Sequence, residues 1–177
     1  MKRTLVIITH PNFENSVVNK LWINELSKYP DQYYIHNLHE VYPDGILDVK
    51  KEQALIEGYD HIVFQFPFYW FNCPPLFKTW LDGVLTYGWA YGSESGYKMG
   101  NKKVALAVSV GIDEKEYTPE GKYMYTLEQL LAPFEVTFRY IKADYQGFYA
   151  YYGIERDSSE EAIQSSLAPY MKFIQGV

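Results

Sequence analysis

At 177 residues, 47% of them hydrophobic and 21% charged, the chain has the make-up of a soluble globular protein, long enough to bury a core without disulfides or metals. A formal net charge of -6 argues against a nucleic-acid partner, whose phosphates call for a basic stripe, and a lone cysteine, Cys73, excludes an internal disulfide and fits a reducing cytoplasm. Aromatic residues make up 18% of the chain, with 18 tyrosines, so rings must be placed somewhere other than an average core.

The opening MKRTLVIITH sets two cations before an apolar run, but residues 5–8 are too few for a signal-peptide core and read as a first buried strand over 4–8. No apolar stretch approaches membrane-spanning length. The loop His10-Pro11-Asn12-Phe13-Glu14-Asn15 leads to Ser16, a good N-cap, and to a helix with Val18, Leu21, Trp22 and Leu26 on one face. That helix stops near Tyr29-Pro30. Residues 32–36 read as a second strand, 38–47 as a loop with a Pro43-Asp44-Gly45 turn, and 48–57 as a helix ended by Gly58.

Ile62, Val63, Phe64 and Phe66 form a near-continuous apolar run, the pattern of a strand buried on both faces of a parallel sheet, and it must stop at Pro67. An aromatic loop follows, Phe68-Tyr69-Trp70-Phe71, where a connecting loop would ordinarily be small and polar. Pro74-Pro75 then opens a helix, since proline suits the first turn, where its missing N–H has no partner to lose. Leu76, Phe77, Trp80, Leu81, Val84 and Leu85 on this helix exceed what one core face needs and read as a homodimer contact, with Gly88 as the stop and Trp89 and Tyr91 beyond it. Lys78 and Asp82 are spaced as a helix-surface ion pair.

Residues 103–109 read as a fourth strand, after a loop over 93–101. Residues 111–122 form a polar loop longer than ordinary connections, a candidate lid. A helix over 125–134 precedes a last strand region that begins at 137–141 and ends in the tyrosine-rich 147–153. Ser158 caps a final helix through Ile174, with Glu160 and Glu161 in its first turn. The whole, 1–177, reads as a single domain.

Five strands alternating with helices predict an α/β fold, a doubly wound, five-stranded parallel sheet with flavodoxin-like order 2-1-3-4-5. In that order the loops leaving strands one, three and four, at His10, Pro67 and Ser109, converge on one crevice at the point where strand order reverses. Aromatic residues there suit a flat aromatic ligand. Cys73, just before a helix, reads as a bystander thiol, and His36 and His39, without further ligands nearby, do not make a metal site.

Three motifs carry a resemblance. H-P-x(4)-S-x-x-N at His10, Pro11, Ser16 and Asn19 precedes F-Q-F-P-x-Y-W-x-x-x-P-P-x-x-K-x-W-x-D over 64–82, and T-Y-G-W-A-Y-G follows over 86–92. Together they resemble the flavodoxin-like NAD(P)H:quinone oxidoreductases, in particular the short bacterial branch of general stress protein 14-like reductases and ancillary subunits of glutathione-gated potassium efflux systems. The resemblance implies FMN rather than FAD, whose users in the family carry additional C-terminal sequence. It implies a phosphate held by Ser16, Val17, Val18 and Asn19 with His10, and a flavin ring held by Pro67, Phe68, Tyr69, Trp70 and Phe71 and by the strand-four loop Ser109, Val110, Gly111 and Ile112.

Tyr117 matches the family's catalytic tyrosine, and Trp89 and Tyr91 join it in the implied substrate pocket. NAD(P)H is the implied electron donor, with a quinone or another small flat aromatic electrophile as acceptor in a two-electron, ping-pong hydride transfer. A homodimer in the cytoplasm is implied too, and the alternative is a regulatory flavin-binding subunit docked on a membrane transporter. Two departures from the family pattern stand out. Ser109-Val110-Gly111-Ile112 replaces T-T-G-G, and no histidine follows His61, so acid catalysis by a loop histidine is unsupported.

Overall fold

The computed structural model describes residues 3–177. Strand β1 (Thr4–Ile8) is buried at every position, as the β-branched run TLVII favours. It pairs in parallel with β2 (Tyr33–Asn37) on one side and β3 (His61–Pro67) on the other. β4 (Lys103–Ser109) pairs with β3, and β5 (Asp144–Tyr151) completes the described five-stranded sheet in the expected order β2-β1-β3-β4-β5. The helices are α1 (Val18–Leu26), α2 (Leu38–Val41), α3 (Val49–Glu57), α4 (Pro75–Val84), α5 (Leu127–Tyr140), α6 (Glu160–Ser165) and α7 (Leu167–Gly176). None of them is long and apolar enough to cross a membrane.

Strand alternation sorts the central side chains into two cores. Leu5, Ile7, Ile62, Phe64 and Phe66 meet Phe77, Trp80, Phe134 and Phe138 on one face of the sheet. Val6, Ile8 and Val63 meet Trp22, Leu26, Tyr170 and Ile174 on the other. Much of the aromatic excess is therefore core packing: Phe64 stacks on Phe138 with centroids 5.5 Å apart, and Trp22 on Tyr170 at 4.5 Å. On the first face the fully buried Glu52 of α3 accepts hydrogen bonds from His36 Nε2 at 2.8 Å, Tyr42 Oη at 2.7 Å and Trp80 Nε1 at 2.8 Å. Burial by itself would raise the pKa of this carboxyl, but the three donors outweigh it and hold the group below the usual carboxylate range.

Several expected boundaries move. Residues 137–141 are not the start of a strand; they carry α5 to its end, and β5 begins only at Asp144. Pro133 removes one helical hydrogen bond, yet Leu127, Leu131, Phe134 and Phe138 all remain on one buried face, and that burial carries the helix past the proline. The start of α5 is fixed by a capping box, Thr126 with Gln129. The final helix is capped by Ser159, not Ser158, and breaks at Ser166, which accepts from Trp22 Nε1 at 2.9 Å and from Tyr149 Oη through its carbonyl at 3.0 Å. A short helix, α2, forms within the expected 38–47 loop.

The α4 helix ends at Val84 with Leu85 as its C-cap, so Gly88, at φ 83°, serves the turn after it and not the stop. Its six apolar residues are all buried within the chain, which removes the surplus from which a dimer contact was expected. Tyr87, Val136 and Tyr140 are among the large apolar side chains that are exposed.

Candidate functional site

The loops after β1, β3 and β4 converge as expected. The first cavity, about 350 Å3, is lined by the amino end of α1 from Ser16 to Asn19 together with His10, Pro67, Ser109 and Gly111. A second, about 520 Å3, adjoins it and is lined by Phe68, Tyr69, Trp70, Phe71, Ile112, Tyr117 and Tyr123. Phe68, Tyr69, Gly111 and Glu155 border both. Volumes in this range suit a small organic ligand.

The polar end is built from unpaired donors. Ser16 does not cap α1; it closes the 3-10 turn Phe13–Asn15, and Val17 at the N-cap position makes no side-chain cap. The first helical bond runs from Leu21 N–H to Val17 C=O at 3.1 Å, so the N–H groups of Val18 and Asn19 have no acceptor in the described chain. His10 Nδ1 accepts from Asn12 N–H at 3.1 Å, and the neutral ring therefore carries its proton on Nε2. Burial, and secondarily the nearby His39, keep the His10 pKa below the ordinary imidazole value. Amide, hydroxyl and imidazole donors at a helix amino terminus are the chemistry of an anion site, with no lysine required.

The aromatic end presents backbone. Trp70 and Phe71 sit at φ 49° and 59°, a region costly for bulky side chains, and their N–H groups make no hydrogen bond among the described residues. Trp70 is 93% exposed. Opposite, Gly111 and Ile112 also offer N–H groups with no acceptor among the described residues, and a Cβ at Gly111 would lie 2.5 Å from Glu155 Oε1, so a side chain there would displace that carboxylate. Tyr117 is buried against Phe68, Tyr123 and Tyr152, with ring centroids 6.2, 4.9 and 5.9 Å away. Burial pushes its phenol up to about 12, so it is a hydrogen-bond donor and not a base at neutral pH. The 111–122 segment is packed down by this tyrosine and by Gly121, whose Cβ would lie 2.5 Å from the Lys115 carbonyl.

The sequence pattern of the family described as flavodoxin-like fold matches residues 2–174. The chain belongs to this family. General stress protein 14 of Bacillus subtilis (strain 168) is 45% identical over 172 residues, covering 96% of this chain and 97% of its own length. An uncharacterized NAD(P)H oxidoreductase of the same organism, YrkL, is 44% identical over 172 residues, with 96% and 98% covered. A crystal structure of general stress protein 14 from Treponema denticola in complex with FMN superposes with a TM-score of 0.92 at 41% identity, covering 98% of both chains.

In this flavodoxin-like chain most of the expected site residues come together, and three do not. The alternation of the strand-four exit turns Val110 into the core, and its N–H bonds the Tyr151 carbonyl at 2.8 Å, leaving nothing for the cavity. Trp89 donates through Nε1 to Glu57 at 2.8 Å, and Tyr91 packs on Tyr140; neither lines the two cavities within one chain. The Asn19 side chain is turned inward to Ser109 and Gln65. Cys73 is a thiol that burial pushes up to about 11.

Glu155 and Tyr123 were missed. The signal for Glu155 was the place of β5 beside β4, which brings the chain after Gly153 to the same end of the sheet. The signal for Tyr123 was its place near the position, Lys122 or Tyr123, at which the family pattern has a loop histidine.

Proposed function

We propose that the chain is an FMN-dependent NAD(P)H oxidoreductase that reduces quinones or similar flat electrophiles, with donor and acceptor using one site in turn. The observation that carries this reading is the junction of the two cavities: unpaired donors at the start of α1 adjoin a slot of aromatic rings and free backbone N–H groups. Those residues fit FMN. Ser16, the Val18 and Asn19 N–H groups and His10 would hold the phosphate, while the backbone of Trp70, Phe71, Gly111 and Ile112 would hold the ring edge. FMN when bound supplies two-electron redox chemistry between a nicotinamide and an acceptor.

The protein's own part is placement, exclusion of water and donation of hydrogen bonds. Phe68, Phe71 and Tyr123 wall the slot, and neutral Tyr117 donates to an acceptor oxygen. The name of the Bacillus relative YrkL, an NAD(P)H oxidoreductase, and the FMN bound to the Treponema protein support this reading.

A homodimer belongs to it as well. Exposed Tyr87 and Tyr140 pack on Tyr91, with exposed Val136 one turn from Tyr140 on α5, and pairing two copies there would cover them. A monomer in analytical ultracentrifugation at micromolar concentration would remove that part.

The deciding experiment is anaerobic mixing of FMN-loaded protein with NADPH and then menadione, followed by flavin absorbance. Bleaching by NADPH and rapid return of colour on adding the quinone are expected. Failure to bind FMN, or binding without bleaching, would overturn the proposal.

A further inference from the structure

The hydrogen bonds behind Ser109 have a fixed direction. The Asn19 backbone carbonyl can only accept, so the Gln65 group 3.2 Å from it is the amide Nε2, and the same Nε2 lies 3.2 Å from Asn19 Oδ1. Gln65 Oε1 consequently faces Tyr170, whose hydroxyl donates to it at 2.8 Å. With Oδ1 turned toward Gln65, Asn19 presents Nδ2 to Ser109 Oγ at 2.9 Å. An amide nitrogen only donates, so Ser109 Oγ accepts and its own proton is left for another partner. Among the described residues none takes it, and Ser109 lines the cavity.

The chain of bonds is sealed from solvent. Gln65 and Tyr170 are fully buried and Asn19 is 1% exposed, so water cannot substitute for a missing member. Tyr170 stands on α7, 105 residues from Gln65 in sequence and outside both cavities.

We propose that Tyr170 is a positioning residue for the cofactor: acting through Gln65 and Asn19, it holds the Ser109 hydroxyl as a hydrogen-bond donor directed at an acceptor atom of the bound flavin. This rests on the FMN reading above. Removing the Tyr170 hydroxyl leaves Gln65 Oε1 without a donor in a site closed to water: the Asn19 carbonyl still keeps Nε2 the donor, but Gln65 loses its anchor on the far side and holds Asn19 Oδ1 less firmly. Ser109 is then held less firmly as acceptor from the protein and donor to the ligand.

The test is a double-mutant cycle of Tyr170→Phe with Ser109→Ala. FMN affinity is read by fluorescence quenching, and apo-protein Tm by circular dichroism. The net worth of one hydrogen bond sets the scale: Ser109→Ala should weaken FMN about fivefold, and Tyr170→Phe about threefold. In the Ser109→Ala background Tyr170→Phe should leave FMN affinity unchanged, while lowering Tm by the same amount in both backgrounds. If Tyr170→Phe does not fold, Gln65→Met, similar in volume, enters the same cycle with the same expectation.

Equal weakening of FMN in both backgrounds, or none in either, overturns the proposal and leaves the tyrosine a packing residue. If the unsubstituted protein does not bind FMN at all, the functional reading falls and this inference falls with it. Binding without coupling sinks the inference alone.

Discussion

On one face of the sheet the Glu52 carboxylate collects hydrogen bonds from His36, Tyr42 and Trp80 and the network closes there; on the other, Tyr170, Gln65 and Asn19 run toward the cavity and leave a Ser109 donor over. Both networks are buried and both tie distant segments together. They differ in whether the last polar atom is satisfied by the protein. A closed network specifies the fold, because each member has a partner only in the native arrangement, whereas an open one carries a binding capacity that the fold does not use. The comparison predicts that damage to the first will appear in stability and damage to the second in affinity.

The largest effect should come from Glu52→Ala, which leaves three buried donors without an acceptor. Removing one partner of a buried charged network costs about 3–5 kcal/mol, to be read from urea unfolding. FMN affinity of the folded fraction should be unchanged, and a large loss of affinity would break the separation of the two networks.

The pH dependence has a definite sign. The folded pKa of Glu52 is depressed, so its contribution is present above the ordinary carboxyl value of 4.5 and is lost as pH falls through the folded value. Glu52→Gln should flatten this acid limb of stability. The Ser109 network holds no carboxylate and should add nothing to the limb.

His10→Ala should do the reverse of Glu52→Ala. His10 lines the cavity and presents Nε2–H, and a hydrogen bond to a charged group is worth enough that its loss should weaken FMN by about tenfold to a hundredfold. Its one hydrogen bond among the described residues is to the Asn12 backbone, so unfolding free energy should move by about 1 kcal/mol, well short of Glu52→Ala. Unchanged FMN affinity would remove His10 from the anion site.

Tyr117→Phe should have a smaller effect, about fivefold on turnover, the scale of one neutral hydrogen bond. Because burial holds the phenol at about 12, the protein keeps it neutral and turnover should show no limb from it below about pH 11. The raised pKa also contributes stability that is full below the free phenol value of 10.0 and lost as pH rises through about 12. A limb in the rate near pH 8–9 that vanishes in the variant would show the tyrosine acting as a base, and this assignment would fail.

How much of this could be read from sequence follows the range of the interactions. The buried strands were legible because residues 4–8, 62–66 and 103–109 carry their signal in the residues themselves, and Pro67 marks its own break. The convergence of His10, Pro67 and Ser109 followed from strand order. The course of α5 past Pro133 was not legible, since it depends on Phe134 and Phe138 finding Phe77 and Phe64 on the same face of the sheet. Within the site, motif residues fell where expected except where a neighbour diverted them: Trp89 to Glu57, Asn19 to Ser109, Val110 to the core. Glu52 and Tyr170 carried no local signal. A buried carboxylate looks like any surface glutamate until its three donors arrive from 16, 10 and 28 residues away.

The smallest expected effect marks the floor of the comparison. Lys78 and Asp82 on α4 form the ion pair their spacing suggests, 2.6 Å apart, with side chains 61% and 65% exposed. Unlike either buried network, this pair competes with water on all sides, and holding two mobile side chains together offsets much of its Coulomb attraction. Asp82→Ala should therefore change unfolding free energy by roughly 0.5 kcal/mol or less and leave FMN affinity alone. Distance alone would rank this pair with Glu52 and His36, at 2.8 Å; burial is what separates them. A loss above about 1 kcal/mol, or one that persists at 1 M salt, would show that α4 is shielded from solvent, as it would be beneath a second subunit.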